Sequence, residues 1–140
     1  MSRTVYELLK THRLRNTLVR ARVLEIFLSR QEALSQSDIE GAFEKVDRIT
    51  LYRTLRTFEH KGLIHRAIDG GDKVKYALCH GACSEVEHDD HHAHFHCDQC
   101  GKTFCLEEIE APAVKAPAGF QVNSTYLVVQ GRCETCSAVK

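Results

Sequence analysis

Asp47-Arg48-Ile49-Thr50-Leu51-Tyr52-Arg53-Thr54-Leu55-Arg56-Thr57-Phe58-Glu59-His60-Lys61-Gly62 is the stretch on which the fold turns. Asp47 is a good helix N-cap, because its carboxylate can accept from backbone amides of the first turn. Leu51, Leu55 and Phe58 recur at i, i+4 and i+7, so a helix over residues 48–61 buries one face. Arg48, Tyr52, Arg53, Arg56 and Thr57 are then left largely outward. Gly62 is a natural residue to end the helix.

Working outward, residues 63–68 and 73–79 read as two short strands, joined by the strong hairpin sequence Asp69-Gly70-Gly71-Asp72. Upstream, residues 4–12 read as a short helix with Val5, Leu8 and Leu9 on one face. Thr17 can cap a second helix carrying Val19, Val23, Leu24, Phe27 and Leu28. Ser35 starts a third, with Asp38 as a weaker capping-box partner than Glu and with Ile39, Ala42 and Phe43 inward. Helices followed by a hairpin are the order of a winged helix-turn-helix. The helix over residues 48–61 would be its recognition helix and the hairpin its wing; in such domains that helix reaches base edges in the major groove while basic flanks hold phosphates. A helical domain with a hairpin and no role on DNA is the alternative; the outward basic residues favour DNA.

The chain has 140 residues, 43% apolar and 27% charged, which is a globular composition of one ordinary domain or two small ones. Its apolar runs are too short to span a membrane. The first residues lead into polar, helix-like sequence rather than a cleavable apolar leader, so the expected location is the cytoplasm. The formal charge is zero but unevenly spread: residues 1–75 hold 15 of the 19 Lys and Arg and 10 of the 19 Asp and Glu. The basic half can supply a phosphate-binding surface that the neutral total conceals.

All 7 cysteines lie from Cys79 onward, and 7 of the 9 histidines from His65 onward. An odd cysteine count without a secretion signal argues against a disulfide framework, and thiols beside imidazoles point to metal. Residues 80–91 are polar and non-periodic and read as a connector. Residues 92–97 and 102–106 look like strands around a turn. Residues 107–118 can hold a helix that Pro112 and Pro117 would shorten or divide. Residues 120–130 are β-rich.

Cys97-Asp98-Gln99-Cys100 and Cys133-Glu134-Thr135-Cys136 are two CxxC pairs, whose four thiolates can surround one zinc tetrahedrally. A redox CxxC or buried free thiols are the competing readings. In the strand His92-Ala93-His94-Phe95-His96, alternation puts His92, His94 and His96 on one face and Cys97 on the other. His92 and His94 can grip one ion, given further ligands. His65 and Cys79, in the two hairpin strands, come from the other side of the connector, so a shared site would tie domain orientation to metal occupancy. His80, His88, His91 and His96 taken singly read as solvated. Neither HExxH nor GxSxG occurs and no Gly-rich phosphate loop does, so the chain does not read as an enzyme.

These features together resemble the ferric uptake regulator family of metal-sensing bacterial repressors. The resemblance rests on Arg48-Ile49-Thr50-Leu51-Tyr52-Arg53-Thr54-Leu55, on Gly62-Leu63-Ile64, on Phe95-His96-Cys97-Asp98-Gln99-Cys100-Gly101-Lys102 and on the Cys133/Cys136 pair. It implies an α/β (α+β) chain with a winged-helix DNA-binding domain at 1–79, a hinge at 80–91 and a small α/β dimerisation domain at 92–140. It implies a homodimer on a near-palindromic double-stranded DNA operator. It implies structural zinc on Cys97, Cys100, Cys133 and Cys136. Tyr52 and Arg53 would work in the major groove and Arg15 near the minor groove. Val19 stands where many members have Pro.

Ala77 and Ala33 fall where iron-type members have a Glu and a His. Tyr76-Ala77-Leu78-Cys79-His80 resembles instead the segment of zinc-uptake regulators in which the Cys is a sensory ligand. The matching regulatory set is His65, Cys79, His92 and His94, suited to zinc. A further family site would need ligands where this chain has Ala93 and Thr125, so it is not expected. Cys105 lies where relatives often have an acidic residue, and is open between an alternative ligand and a redox-sensitive thiol. The expected function is a zinc-responsive repressor of metal-uptake genes. The alternatives are an iron, manganese or peroxide sensor of the same family, a metal-storage or delivery protein and, last, a metallohydrolase.

Overall fold

The computed structural model describes residues 3–79, 92–110 and 112–138. The expected hinge at 80–91 therefore lies outside the described residues, with Cys83 and three of the solvated histidines.

Helix α1 (Arg3–Thr11) packs Val5 and Leu9 into the core. Helix α2 (Leu18–Ser29) begins where Thr17 Oγ1 accepts from the Arg20 amide at 3.2 Å. Strand β1 (Leu34–Ser35) runs directly into helix α3 (Gln36–Gly41). Ser35 and Asp38 form a full reciprocal capping box there, so the shorter acid suffices. Helix α4 (Arg48–His60) is capped by Asp47, whose carboxylate accepts from the Thr50 amide at 2.9 Å and its hydroxyl at 2.8 Å. The helix ends at Gly62, in the left-handed region at φ 82°.

Strands β2 (Ile64–Ala67) and β3 (Lys75–Leu78) form the hairpin, and β1 adds to its outer edge in the antiparallel order β1-β3-β2. Leu51, Leu55 and Phe58 are fully buried against Leu24, Phe27, Ile39 and Ile64. Each such side chain contributes about 1.5–3 kcal/mol relative to exposure. This half thus has an ordinary apolar core, and it holds α4 with its basic face outward.

The second half is built differently. Strands β4 (His92–Cys97), β5 (Thr103–Glu110) and β6 (Val128–Gly131) form a sheet in the order β5-β4-β6, with β4 antiparallel to β5 and parallel to β6. Helix α5 (Glu134–Ala138) closes it. Its buried cluster is Cys97, Cys133 and Cys136, flanked by half-buried Phe95 and Phe104. Among the described residues sulfur takes the place of an aliphatic core, and a core this small is of the kind that a metal or a second subunit stabilises.

Two local expectations are corrected. No helix forms among the described residues of 107–118: β5 continues to Glu110 and 112–117 are irregular. Pro112 and Pro117 leave too few residues between them for a stable helix. Of the β-rich stretch 120–130, only the segment from Val128 pairs, because β4 offers six residues and its register begins with His94 opposite Val128. At the start of β4 the pairing with β5 shifts register between His92 and Ala93, with the extra residues on the β5 side. Among the described residues, no helix is long and apolar enough to cross a membrane.

Candidate metal centres and nucleic-acid interface

The four cysteines of the two CxxC pairs come together. One ligand atom from each of Cys97, Cys100, Cys133 and Cys136 lies within 4.8 Å of the others. The turn after β4 returns through Gly101 at φ 77°, with the Gly101 amide bonded to Cys97 O at 2.9 Å. The second knuckle is brought alongside by Cys97 pairing with Gly131 and by the Asp98 amide on Gly131 O at 2.8 Å. Cys100 Sγ and Cys133 Sγ are 3.8 Å apart, close to the ~3.8 Å edge of a tetrahedron with 2.3 Å zinc–sulfur bonds. The donor set and its spacing fit a structural zinc.

The sulfur electrostatics are uneven. The backbone amides of Cys100 and Cys133 point at Cys97 Sγ and pull that thiol down to about 6. Burial, then the neighbouring sulfurs, push Cys136 up to about 12. At Cys100 the Lys102 amide acts downward, but burial and the other sulfurs outweigh it. One thiolate forms readily; a full set of four repels itself unless a cation sits between them.

A second cluster lies where the two halves meet. His65 of β2, His94 of β4 and Cys105 of β5 bring one ligand atom each within 4.8 Å of one another. His65 and His94 are almost wholly buried, with ring centroids 6.3 Å apart. Cys105 Sγ is 3.6 Å from His65 Nε2, and Cys79 Sγ is 3.3 Å from His65 Nδ1 on the other side of the ring. The structure thus brings His65 and His94 together as the sequence suggested, adds Cys105, and sets Cys79 against the opposite nitrogen of His65. The side chain of His92 lies outside the described residues.

Cys105, open in the sequence between an alternative ligand and a redox-sensitive thiol, stands among the possible ligands, and the hairpin register carries the signal for it. Antiparallel pairing counted back from the Cys97–Lys102 turn sets His96 opposite Thr103, Phe95 opposite Phe104 and His94 opposite Cys105. Directly opposed residues share a face, so the ligand pair follows from the hairpin register. His96 instead turns to Thr103, with Nδ1 3.2 Å from its hydroxyl oxygen.

The outward side of α4 exposes Arg48, Ile49, Tyr52, Arg53 and Arg56. Arg48 is paired with Glu40 at 2.8 Å and Arg56 with Glu59 at 3.6 Å. The exposed loop between α1 and α2 carries Arg13 and Arg15, and Arg20 Nη1 donates to Arg15 O at 2.9 Å. Basic groups thus stand on the recognition helix and on a loop braced from α2.

A winged helix with a basic outer face, joined to a thiol-stapled sheet, defines a metal-responsive DNA-binding regulator. The model of the ferric uptake regulator family matches residues 11–130. The chain is 33% identical over 138 residues to the ferric uptake regulation protein of Legionella pneumophila, covering 91% of this chain and 95% of that one. The chain belongs to the ferric uptake regulator family, whose members are transcription regulators that bind DNA as dimers, not enzymes. Among solved structures, a zinc uptake regulator complexed with zinc and DNA superposes with a TM-score of 0.64 at 22% identity, over 97% of this chain and 92% of that one. A zinc-bound manganese uptake regulator superposes with a TM-score of 0.62 at 18% identity, over 94% and 99%. These likenesses bear on the fold: an N-terminal winged-helix domain and a C-terminal dimerisation domain.

Proposed function

We propose that this chain is a zinc-responsive repressor of the zinc-uptake regulator branch, acting in the cytoplasm on metal-uptake genes. The observation that carries the reading is the convergence of His65, from the wing, with His94 and Cys105, from the dimerisation sheet. Imidazole and thiol donors, with the Cys79 thiol beside them, suit zinc better than a hard, oxygen-preferring ion.

Zinc bound there supplies a cross-link between the two domains. The protein's own groups do the rest. His65 presents Nε2 to the shared space while Nδ1 rests on Cys79. His94 and Cys105 face it from paired strands, so all three ligand atoms meet only when the wing sits against the sheet. Metal can bias domain orientation only through such a difference between states. His92 is the further proposed ligand from the sequence. Cys97, Cys100, Cys133 and Cys136 are proposed to hold a permanent structural zinc.

On the DNA side, Tyr52 and Arg53 are proposed to enter the major groove and Arg15 to approach the minor groove of a near-palindromic operator. Ile109, Phe120, Val122 and Tyr126 are exposed in the second half, Phe120 by 72%. Apolar surface of this kind supports burial against a second copy. The proposed domain bounds are 1–79, 80–91 and 92–140.

Relatives named for ferric uptake favour an iron sensor as the second reading. Against it, the iron-type Glu and His positions are held here by Ala77 and Ala33, which offer no ligand atom. The deciding experiment selects a binding DNA from a random duplex library, then measures its affinity by anisotropy at buffered free Zn²⁺, Fe²⁺ and Mn²⁺. Zinc is expected to act at the lowest free concentration. Response to Fe²⁺ or Mn²⁺ at a lower concentration would overturn the zinc reading, and no sequence-selective binding under any metal would favour storage or delivery.

A further inference from the structure

Asp69 sits at the wing turn yet is 5% exposed, an unusual place for a carboxylate. Its Oδ1 accepts from the Gly71 amide at 2.8 Å, which holds the turn. Its Oδ2 reaches beyond the hairpin as well as across it: it accepts from the Thr103 hydroxyl in β5 at 2.7 Å and pairs with Lys75 Nζ in β3 at 2.9 Å. Lys75 Nζ also donates to Thr103 Oγ1 at 3.0 Å and to Gly101 O, beside the zinc knuckle, at 3.1 Å. His96 Nδ1 stands 3.6 Å from the same carboxylate oxygen. One backbone bond, from the Ala33 amide to Thr103 O at 2.6 Å, runs parallel to this network.

We propose that Asp69 is a positioning residue: with Lys75 it docks the wing on the dimerisation domain through Thr103 and Gly101, making a second tie between the domains that needs no metal ligand. Hydrogen bonds with a charged partner are the strong ones, and those between Thr103 and Asp69 and from Lys75 to Thr103 and Gly101 are lost when the domains part. The wing therefore has a built-in bias toward the docked orientation. The regulatory ligands act on a chain already partly arranged for them, and their apparent affinity scales with the docked fraction. The proposal rests on the two-domain regulator reading for what is positioned, but not on which metal is sensed.

The test uses the full-length dimer loaded to one zinc per chain, comparing wild type with Asp69→Asn, Lys75→Met and the double variant. The first readout is the radius of gyration by small-angle scattering. Wild type is expected to be compact and each single variant expanded. The double variant should expand no further than the singles, since one network is lost in each case. Retained dimer mass and retained tight zinc show that the variants fold. The second readout is affinity for the next zinc, by chelator competition: if docking falls to about a tenth, affinity falls about tenfold. Equal radii for all four proteins, or an expanded wild type, would overturn the tie. A wild type that takes no second zinc while the radii still differ would sink the zinc-sensor reading and leave the tie standing.

Discussion

Cys105 Sγ lies 3.6 Å from Nε2 of His65, although the two are 40 residues apart and belong to different domains. That contact makes Cys105, rather than Cys79, the thiol that shares its space with both His65 and His94. Cys79 touches the ring nitrogen facing away. The two thiols should therefore differ in weight. Cys105→Ala is expected to remove the exchangeable zinc and leave the tight zinc in place. Cys79→Ala, acting on the orientation and basicity of His65, is expected to weaken it by about 10–100-fold. Chelator-competition titration measures both; an equal and complete loss in the two variants would make Cys79 a direct ligand.

The dimerisation domain is expected to depend on its tight metal for folding. Its buried cluster is three of the four site cysteines, and structural zinc sites carry roughly 10–16 kcal/mol of binding energy near neutral pH. Cys133→Ser, or a strong chelator on the wild type, should abolish the β signature of the second half and the dimer while the winged-helix half stays helical. Far-ultraviolet circular dichroism and equilibrium sedimentation report the two losses.

Acid should weaken the protein partly through Asp69. Burial acts to raise its pKa, but hydrogen bonds from Thr103, Lys75 and Gly71 outweigh it and hold the carboxyl at about 2, below its usual 3.8. A depressed carboxylate stabilises the fold fully above its unfolded value and loses that contribution as pH falls through the folded one. The window is thus pH 4 down to 2, and the contribution above it is about 2 kcal/mol. Denaturant unfolding of wild type and Asp69→Asn, compared pH by pH, should show a gap that is constant near neutrality and closes across that window. Acid release of zinc would displace Thr103 and close the gap at a higher pH, so zinc content is followed in the same samples.

What the sequence disclosed follows from how far apart the interacting residues lie. Asp47, Thr17 and Ser35 each cap a helix within three residues, so their signals were local and all three are realised. The Leu51-Leu55-Phe58 face was equally plain. The CxxC pairs were legible because the spacing itself is the chemistry. Cys105 needed a register argument across a hairpin. Asp69 was unreadable: it belongs to a sequence whose obvious role is a turn, and its partner Thr103 is 34 residues away across a domain boundary. Among the described residues of 107–118 the expected helix is missing: a helical composition met two prolines, and the prolines prevailed.

On DNA, the two classes of basic residue should separate by salt. Arg53→Ala, on the recognition helix, is expected to cost about 1–3 kcal/mol and to relax sequence preference if it reads a base. Arg15→Ala, in the loop, should lower the salt slope by about 1 and weaken duplexes broadly, most where the minor groove is narrow and A·T-rich. Anisotropy titrations on selected and scrambled duplexes across ionic strength separate them. The same salt signature from both residues would move Arg53 from the bases to the backbone.

Arg13 poses stability against binding in one residue. It ends α1 in the left-handed region at φ 58°, where the Leu14 amide reaches back to Leu9 O at 2.8 Å and the Arg13 amide to Lys10 O at 3.0 Å. A helix usually stops this way on glycine. A side chain there costs roughly 1–2 kcal/mol in backbone strain, and such strain tends to persist where function holds it. Arg13 is exposed in the same basic loop as Arg15, so a phosphate contact is the role to test. Arg13→Gly is accordingly expected to raise stability by about 1 kcal/mol, the strain relieved less the extra chain entropy of glycine. DNA affinity should fall, with a salt slope lower by about 1. Arg13→Asn, which tolerates the left-handed region without the charge, should recover part of the stability and none of the binding. If Arg13→Gly binds DNA as well as wild type does, the strained arginine contributes nothing at the interface.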